Sequence, residues 1–249
     1  ILILLCLLIW SMFIEPNILI VKHLTIHDEQ LKGLKIVFAS DFHIKPHEAY
    51  RLNKIVRTIN EQNPDIVLFG GDYVNGHKKG NSLSIEKIAK KFSYIVSKYG
   101  TYVVIGNHDG WQGKEEIIEV LKENGINVLF NNNACFKDFC IAGVDDLQTG
   151  NPDIEKALSG VNKPVILLTH TPDIMPNVPY NVNLTLAGHL HGGQVRLNKA
   201  LIVPSIYGDK YANGFLNDKG KKIYTTKGLG TSILPIRFNC PPEIVVIEF

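Results

Sequence analysis

Sulfur is scarce in this chain. Four cysteines and two methionines occur among 249 residues, and no cysteine pair has the spacing of a zinc finger, so a module of that kind is excluded. An excess of charge of one sign is also lacking. Lys and Arg total 26 against 24 Asp and Glu, a net charge of +2, which gives no case for a basic face that binds nucleic acid. Lys78-Lys79 and the group Lys219, Lys221 and Lys222 read as solvated loop charges. Internal repeats and low-complexity tracts are absent. What is left, 45% hydrophobic and 20% charged, is ordinary for a chain with a well-filled core, and the length suits one large α/β domain.

Residues 1–14 stand apart. They read ILILLCLLIWSMFI, without charge before Glu15 and Pro16, yet fall short of the ~20 apolar residues that cross a bilayer. The sequence opens without Met, so this stretch is expected to be the end of a longer membrane anchor, followed by a single domain over 15–249. A signal-peptide core and a buried helix are the alternatives, and no small-x-small cleavage site follows. Cys6 lies in this segment and Cys240 near the other end. Cys135 to Cys140 reads as a hairpin turning at Lys137-Asp138, with the two cysteines across from each other. Two inert buried thiols are the expectation there, and a disulfide is the alternative in an oxidising compartment.

The informative residues are five short clusters: Asp41-Phe42-His43, Gly71-Asp72, Gly106-Asn107-His108-Asp109, Thr169-His170-Thr171 and Gly188-His189-Leu190-His191. Each alone is weak, but each follows a short apolar, β-branched run. Asp41 follows Lys35 to Ser40, Asp72 follows Ile66 to Gly71, and Asn107 follows Tyr102 to Gly106. His170 follows Val165 to Thr169, and His189 follows Val182 to Gly188. The carboxyl edge of strands is where ligands bind in open α/β sheets. Two aspartates, an asparagine and at least three imidazoles suffice for two divalent cations side by side, which can activate water and clamp a phosphoryl group. The residues therefore read as a metal-dependent phosphoesterase. Gly71, Gly106 and Gly188 stand beside these residues, where the chain must turn sharply, and Gly192-Gly193 would let the last loop fold back.

Between the clusters, Leu52, Ile55, Val56 and Ile59 recur at helical spacing, with Asn63-Pro64 ending that helix. Ile85, Ile88, Ala89 and Phe92 repeat the pattern before a strand over 101–105. Ile117, Ile118 and Leu121 do so again, with Gly125 as a C-terminal stop. Ile18 to Ile26 reads as a strand, and short strands dominate after Asn181. The alternation is that of a layered α/β fold.

The order D-x-H, G-D, G-N-H-D, H, G-H-x-H over about Lys35 to Gln194 resembles the calcineurin-like metallophosphoesterase superfamily. More loosely, the Gly188 to Gln194 segment and the ending from Gly228 to Ile244 resemble a membrane-associated bacterial branch of phosphohydrolases. The resemblance implies two mixed β-sheets packed as a sandwich and flanked by helices. It implies one metal held by Asp41, His43 and His191, a second held by Asn107, His170 and His189, and Asp72 bridging them. The ions would lie ~4 Å apart and share the attacking hydroxide. Oxygen and nitrogen ligands without thiolate suit manganese, iron or zinc. His108 matches the residue that protonates the leaving oxygen. Asp109 could orient that imidazole, support the ligands from behind, or be a surface turn acid.

The departures from the family are informative. Protein Ser/Thr phosphatases of this superfamily carry an Asp and an Arg after the bridging aspartate, where this chain has Asn75 and Gly76. A protein phosphatase is thereby disfavoured, and a phosphodiester or pyrophosphate is the expected substrate. The apolar amino end makes a lipid-linked substrate attractive. The named alternative is the UDP-diacylglucosamine pyrophosphate hydrolase reaction of lipid A synthesis, at the bacterial inner membrane. A metal-poor binding scaffold is the alternative of another class, although every ligand position is filled. Arg237, Arg196, Gln194 and Lys45 are candidates for phosphate contacts. Trp111 and Ile233 to Ile236 are candidate apolar rims, and His23, His27, His47 and His77 read as surface residues.

Overall fold

The computed structural model describes residues 1–249. In chain order its elements are α1 (Leu2–Ile9), β1 (Ile20–Thr25), β2 (Lys35–Ala39), α2 (Ala49–Glu61), β3 (Ile66–Phe69), α3 (Ile85–Phe92), β4 (Thr101–Val103), α4 (Asn107–Glu123), β5 (Asn127–Val128) and β6 (Asn132–Cys135), followed by β7 (Cys140–Gly143), α5 (Ile154–Ala157), β8 (Val165–Leu168), β9 (Leu184–Ala187), β10 (Gly214–Asp218), β11 (Lys221–Thr225) and β12 (Glu243–Glu248). They form two six-stranded sheets, ordered β1-β12-β2-β3-β4-β5 and β10-β11-β9-β8-β7-β6. Both are mixed. β2 to β5 run parallel while β12 opposes β2, and β7 to β9 run parallel while β6 opposes β7.

The strands read as continuous apolar runs because both faces are covered. Ile36, Phe38, Ile66 and Leu68 point between the sheets, where they meet Ile166, Leu168, Leu184 and Leu186. The alternating residues Val37, Ala39, Val67 and Phe69 face outward and pack under Ile55 and Ile59 of α2, Phe92 of α3 and Leu121 of α4. On the far side of the second sheet, Leu167 and Ile223 are covered by Ile174, Met175 and Tyr211. Burying these side chains contributes about 1.5–3 kcal/mol each.

Two local readings change. The strand expected over 101–105 ends at Val103, and Asn107 opens α4, so Asn107 and His108 lie in the first turn of a helix that kinks at Gly113, where φ is +123°. Cys135 and Cys140 are joined as a disulfide instead of standing as two buried thiols. The antiparallel register sets them directly opposite, with Cα atoms 4.1 Å apart, and Cys135 is exposed.

α1 continues through a wider π turn (Trp10–Ile14) into a 3-10 turn (Glu15–Asn17), and its apolar side chains stay exposed. Only the carboxyl end of this segment is fastened. The Arg237 amide donates to the Ser11 carbonyl at 2.9 Å, and buried Glu15 accepts from Trp10 Nε1 at 2.7 Å and from the Cys240 amide. No helix of the chain is long and apolar enough to cross a membrane.

Candidate metal centre

Each parallel strand is followed by a sharp reversal, and the reversals carry the chemistry. Asp41, His43, Asp72, His189 and His191 all have positive φ, between 41° and 70°. Asp, Asn and His tolerate the left-handed region better than other side chains, yet it still costs on the order of 1–3 kcal/mol per residue. The surroundings hold them there. The Asp41 amide donates to Gly71 O at 3.0 Å, His43 N to Asp72 O at 3.1 Å, and His189 N to Asp41 Oδ1 at 2.9 Å. Two loops also touch at glycine. A Cβ on Gly71 would lie 2.5 Å from the Gly106 nitrogen, and one on Gly106 would lie 2.2 Å from Asp72 Oδ1.

All eight residues singled out in the sequence converge. On one side, His43 Nε2 and His191 Nε2 are 3.1 Å apart, and Asp41 Oδ1 is 3.9 Å from His191 Nε2. On the other, Asn107 Oδ1 lies 2.9 Å from His170 Nε2 and 3.0 Å from His189 Nδ1, and those two nitrogens are 3.2 Å apart. Asp72 joins the halves: its Oδ2 is 3.4 Å from His43 Nε2 and 3.4 Å from His170 Nε2. Asp41, His43 and His191 present ligand atoms within 4.8 Å of one another, as do Asp41, Asp72 and His170.

The donor set fits cations. Asp41, His43, Asp72 and His170 are fully buried or nearly so, and the buried Asp41 Oδ2 finds no hydrogen-bond donor. His170 Nδ1 faces Gly70 O at 2.7 Å, so Nδ1 carries a hydrogen and Nε2, once deprotonated, would offer its lone pair to a cation. Burial pushes Asp41 up to about 7 and His43 down to about 3, each toward its neutral form. Burial likewise lowers His189 to about 4. Burial opposes charge on His170 as well, but Asp72 beside it wins and raises that imidazole to about 10. Asp72 in turn is held well below the usual carboxylate range, because His170 and His43 outweigh its burial. Without a cation, the pocket thus keeps a proton on His170 as the partner of Asp72.

His108 stands at the mouth. Its backbone N–H donates to Asp72 Oδ1 at 2.8 Å. Its Nδ1 faces Gly76 O at 2.9 Å, which leaves Nε2 toward Ser232 Oγ, 3.5 Å away. The His108 ring lies edge-on to His43, with centroids 4.6 Å apart. Trp111 forms the lip, at 4.9 Å from His108. His77 is exposed, as expected, but it is part of this rim: its ring is 4.3 Å from Trp111 and 5.3 Å from His108.

Several expectations are corrected. Asp109 supports the ligand loop, one of its three expected roles, and neither orients the His108 ring nor faces solvent. It is fully buried, and its carboxylate accepts the backbone N–H groups of Asp72, Tyr73, Val74 and Gly106 at 2.7–3.2 Å. Arg237 is buried and is spent on the carbonyls of Lys227, Gly228, Gly230 and Cys240, so it braces a loop and reaches no phosphate. Arg196 binds Gly192 O and Asp209, and Gln194 binds the backbone of Ser232 and Leu234. Lys45 alone of the four lines a cleft with His43.

The sequence reading missed two positioning residues. Gln148 meets His189 Nε2 at 3.1 Å, on the ring edge opposite Asn107 and His170. Its loop is tied by buried Asp146, which accepts from Gln148 N, Thr149 N and Thr149 Oγ1. Nothing local in the sequence points to it. Gln112 donates to Gly76 O at 2.8 Å, the carbonyl that orients His108, and its place one helical turn after His108 was a usable signal.

Residues 34–193 match the family model described as calcineurin-like phosphoesterase. The chain belongs to that family. Among curated relatives, this calcineurin-like phosphoesterase is 34% identical to the phosphodiesterase YaeI of Escherichia coli over 92% of this chain and 87% of that protein. It is 32% identical to the metallophosphoesterase YkuE of Bacillus subtilis, over 95% of this chain and 87% of that protein. Among solved structures, a dimetal phosphatase from Danio rerio aligns over 80% of this chain and 88% of that one, at 11% identity and a TM-score of 0.46. The protein is a metal-dependent phosphoester hydrolase with two mixed sheets flanked by helices.

Proposed function

We propose that this phosphoesterase hydrolyses a P–O bond of a phosphodiester or pyrophosphate at two divalent cations, manganese, iron or zinc. The observation that carries the reading is Asp72, whose Oδ2 lies 3.4 Å from an imidazole of each half of the site. Asp41, His43 and His191 would hold one ion, Asn107, His170 and His189 the other, and Asp72 both. The ions would supply an activated water and compensate charge on the phosphoryl oxygens.

The chain supplies the rest. His108, with Nδ1 fixed on Gly76 O, presents Nε2 to the open side and can give a proton to the departing oxygen. Gln148 and Gly70 O set the rings of His189 and His170. A dianionic monoester needs additional cations around the phosphoryl group. Here Gly76 stands where an arginine would, and Arg237 is consumed by backbone carbonyls. A singly charged diester asks less of the site, and the relative named a phosphodiesterase supports the same choice.

The test is hydrolysis of bis-p-nitrophenyl phosphate beside p-nitrophenyl phosphate, with manganese and then with chelator. Chelator-sensitive turnover of the diester is expected to exceed that of the monoester. Turnover of the monoester alone would overturn the substrate class. No turnover by folded, metal-loaded protein would overturn the reading as a general diesterase.

A further inference from the structure

The exposed apolar residues near the site have a common arrangement. The loop over 194–207 carries Leu197, Leu201, Ile202 and Ile206, and the loop over 231–236 carries Ile233 and Leu234. All six are exposed, Ile202 by 81%, Ile206 by 84% and Ile233 by 96%. The loops are one unit. Gln194 Nε2 donates to the carbonyls of Ser232 and Leu234, the Ser232 amide returns a bond to Gln194 Oε1 at 2.7 Å, and Val195 pairs with Phe238.

The unit connects in two directions. Inward, Ser232 Oγ is 3.5 Å from His108 Nε2, so the loops rise directly beside the reacting position. Outward, Arg237 is bonded to Ser11, and Leu197 shares a cleft with Trp10. Met12 and Pro235 share another cleft with His43 and Lys45. The exposed apolar helix α1 and the two loops therefore continue one another around the mouth of the metal centre.

We propose that this surface docks on an anionic lipid bilayer and brings the metal centre against a phosphoester in the headgroup layer. Three features favour a bilayer. The apolar residues project from separate loop tips and an unpaired helix. Trp10 and Tyr207, both exposed at their edges, are the amphipathic rings that headgroup regions accept. Exposed Lys199 sits between Leu197 and Leu201 at one tip, where it would meet anionic headgroups. Docking of this kind needs apolar area at an interface and no spanning helix. The lipid-linked character of the substrate rests on the phosphoesterase reading above; the docking does not.

The experiment uses the full chain with Cys6→Ser, which leaves Cys240 buried and Cys135 paired with Cys140. An environment-sensitive fluorophore is attached to Ile206→Cys, Ile233→Cys or Val96→Cys. Val96 is exposed before β4, at the sheet edge opposite the site. Vesicles of phosphatidylglycerol and phosphatidylcholine should shift the probes at 206 and 233 to the blue and leave that at 96 unchanged. Combined Ile202→Asp and Ile206→Asp should lower vesicle affinity at least ten-fold, with bis-p-nitrophenyl phosphate turnover in solution unchanged. Probes at 206 and 233 that stay in water while the protein is vesicle-bound would overturn the proposal, as would absence of vesicle binding. A shift without vesicles that grows with protein concentration would assign the surface to a second copy of the chain instead. Blue shifts in a protein that cleaves no phosphoester would leave the docking standing and remove the catalytic reading.

Discussion

Substituting Asp109→Asn tests how the centre is built without touching a candidate ligand. The Asp109 carboxylate accepts four buried N–H groups, those of Asp72 and Gly106 on Oδ2 and those of Tyr73 and Val74 on Oδ1. Asparagine keeps the shape but turns one oxygen into an NH2 group. Two N–H donors then face another donor, and burial keeps water from replacing the lost acceptor. Each such unsatisfied group costs about 1–3 kcal/mol, so the loss should be about 2–6 kcal/mol. For a domain of this size that is a fall in melting temperature of roughly 5–20 °C. The loop released is the one that carries Asp72, so manganese affinity should fall in the same variant. Thermal unfolding with and without manganese reads both quantities. A melting temperature within 2 °C of the parent, with unchanged metal affinity, would refute the view that this carboxylate holds the Asp72 loop.

His108→Ala should cost about 10²–10⁴ in turnover of esters with poor leaving groups and far less with nitrophenyl esters, metal content persisting because the bond to Asp72 comes from the backbone. Equal losses on both substrates, in a leaving-group series, would show that the ring holds phosphate instead of donating a proton. His170→Ala should remove bound metal and most activity together, as measured by metal analysis and turnover. The stabilisation by manganese should grow with pH. Folding without metal raises His170 to about 10 and Asp41 to about 7, so the metal-free fold keeps protons that the cation must displace, and acid favours the metal-free form. A manganese-induced rise in melting temperature that is flat from pH 6 to 9 would contradict this. Denatured, unreduced protein should titrate as two thiols and reduced protein as four, since Cys135 and Cys140 are paired.

The parts of the site that were legible are those written in residue type and order. Asp41, Asp72, Asn107, His170 and His189 each follow a strand, and strands are recognisable from apolar runs that need both faces covered. The helices at Leu52 to Ile59 and Ile85 to Phe92 were legible because their apolar spacing matches the faces they bury. Long-range bonding was not legible. The distance in sequence from Gln148 to His189, or from Asp109 to Tyr73, carries no local signal. Arg237 shows the same limit, since nothing nearby in the chain indicates that its guanidinium ends among carbonyls instead of in the cleft. The disulfide was misjudged because the hairpin was legible while the exposure of Cys135 was not.

The left-handed backbone at Asp41, His43, Asp72, His189 and His191 limits how this centre can be re-engineered. A substitution at these positions must satisfy two filters at once, affinity for a cation and tolerance of positive φ. Asp, Asn and His pass both most readily, whereas a β-branched or bulky side chain adds strain there. Swaps within that trio are the accessible neighbours of this site in sequence space. Exchanging metal preference by importing cysteine or glutamate would add backbone strain of about 1–3 kcal/mol at each such turn.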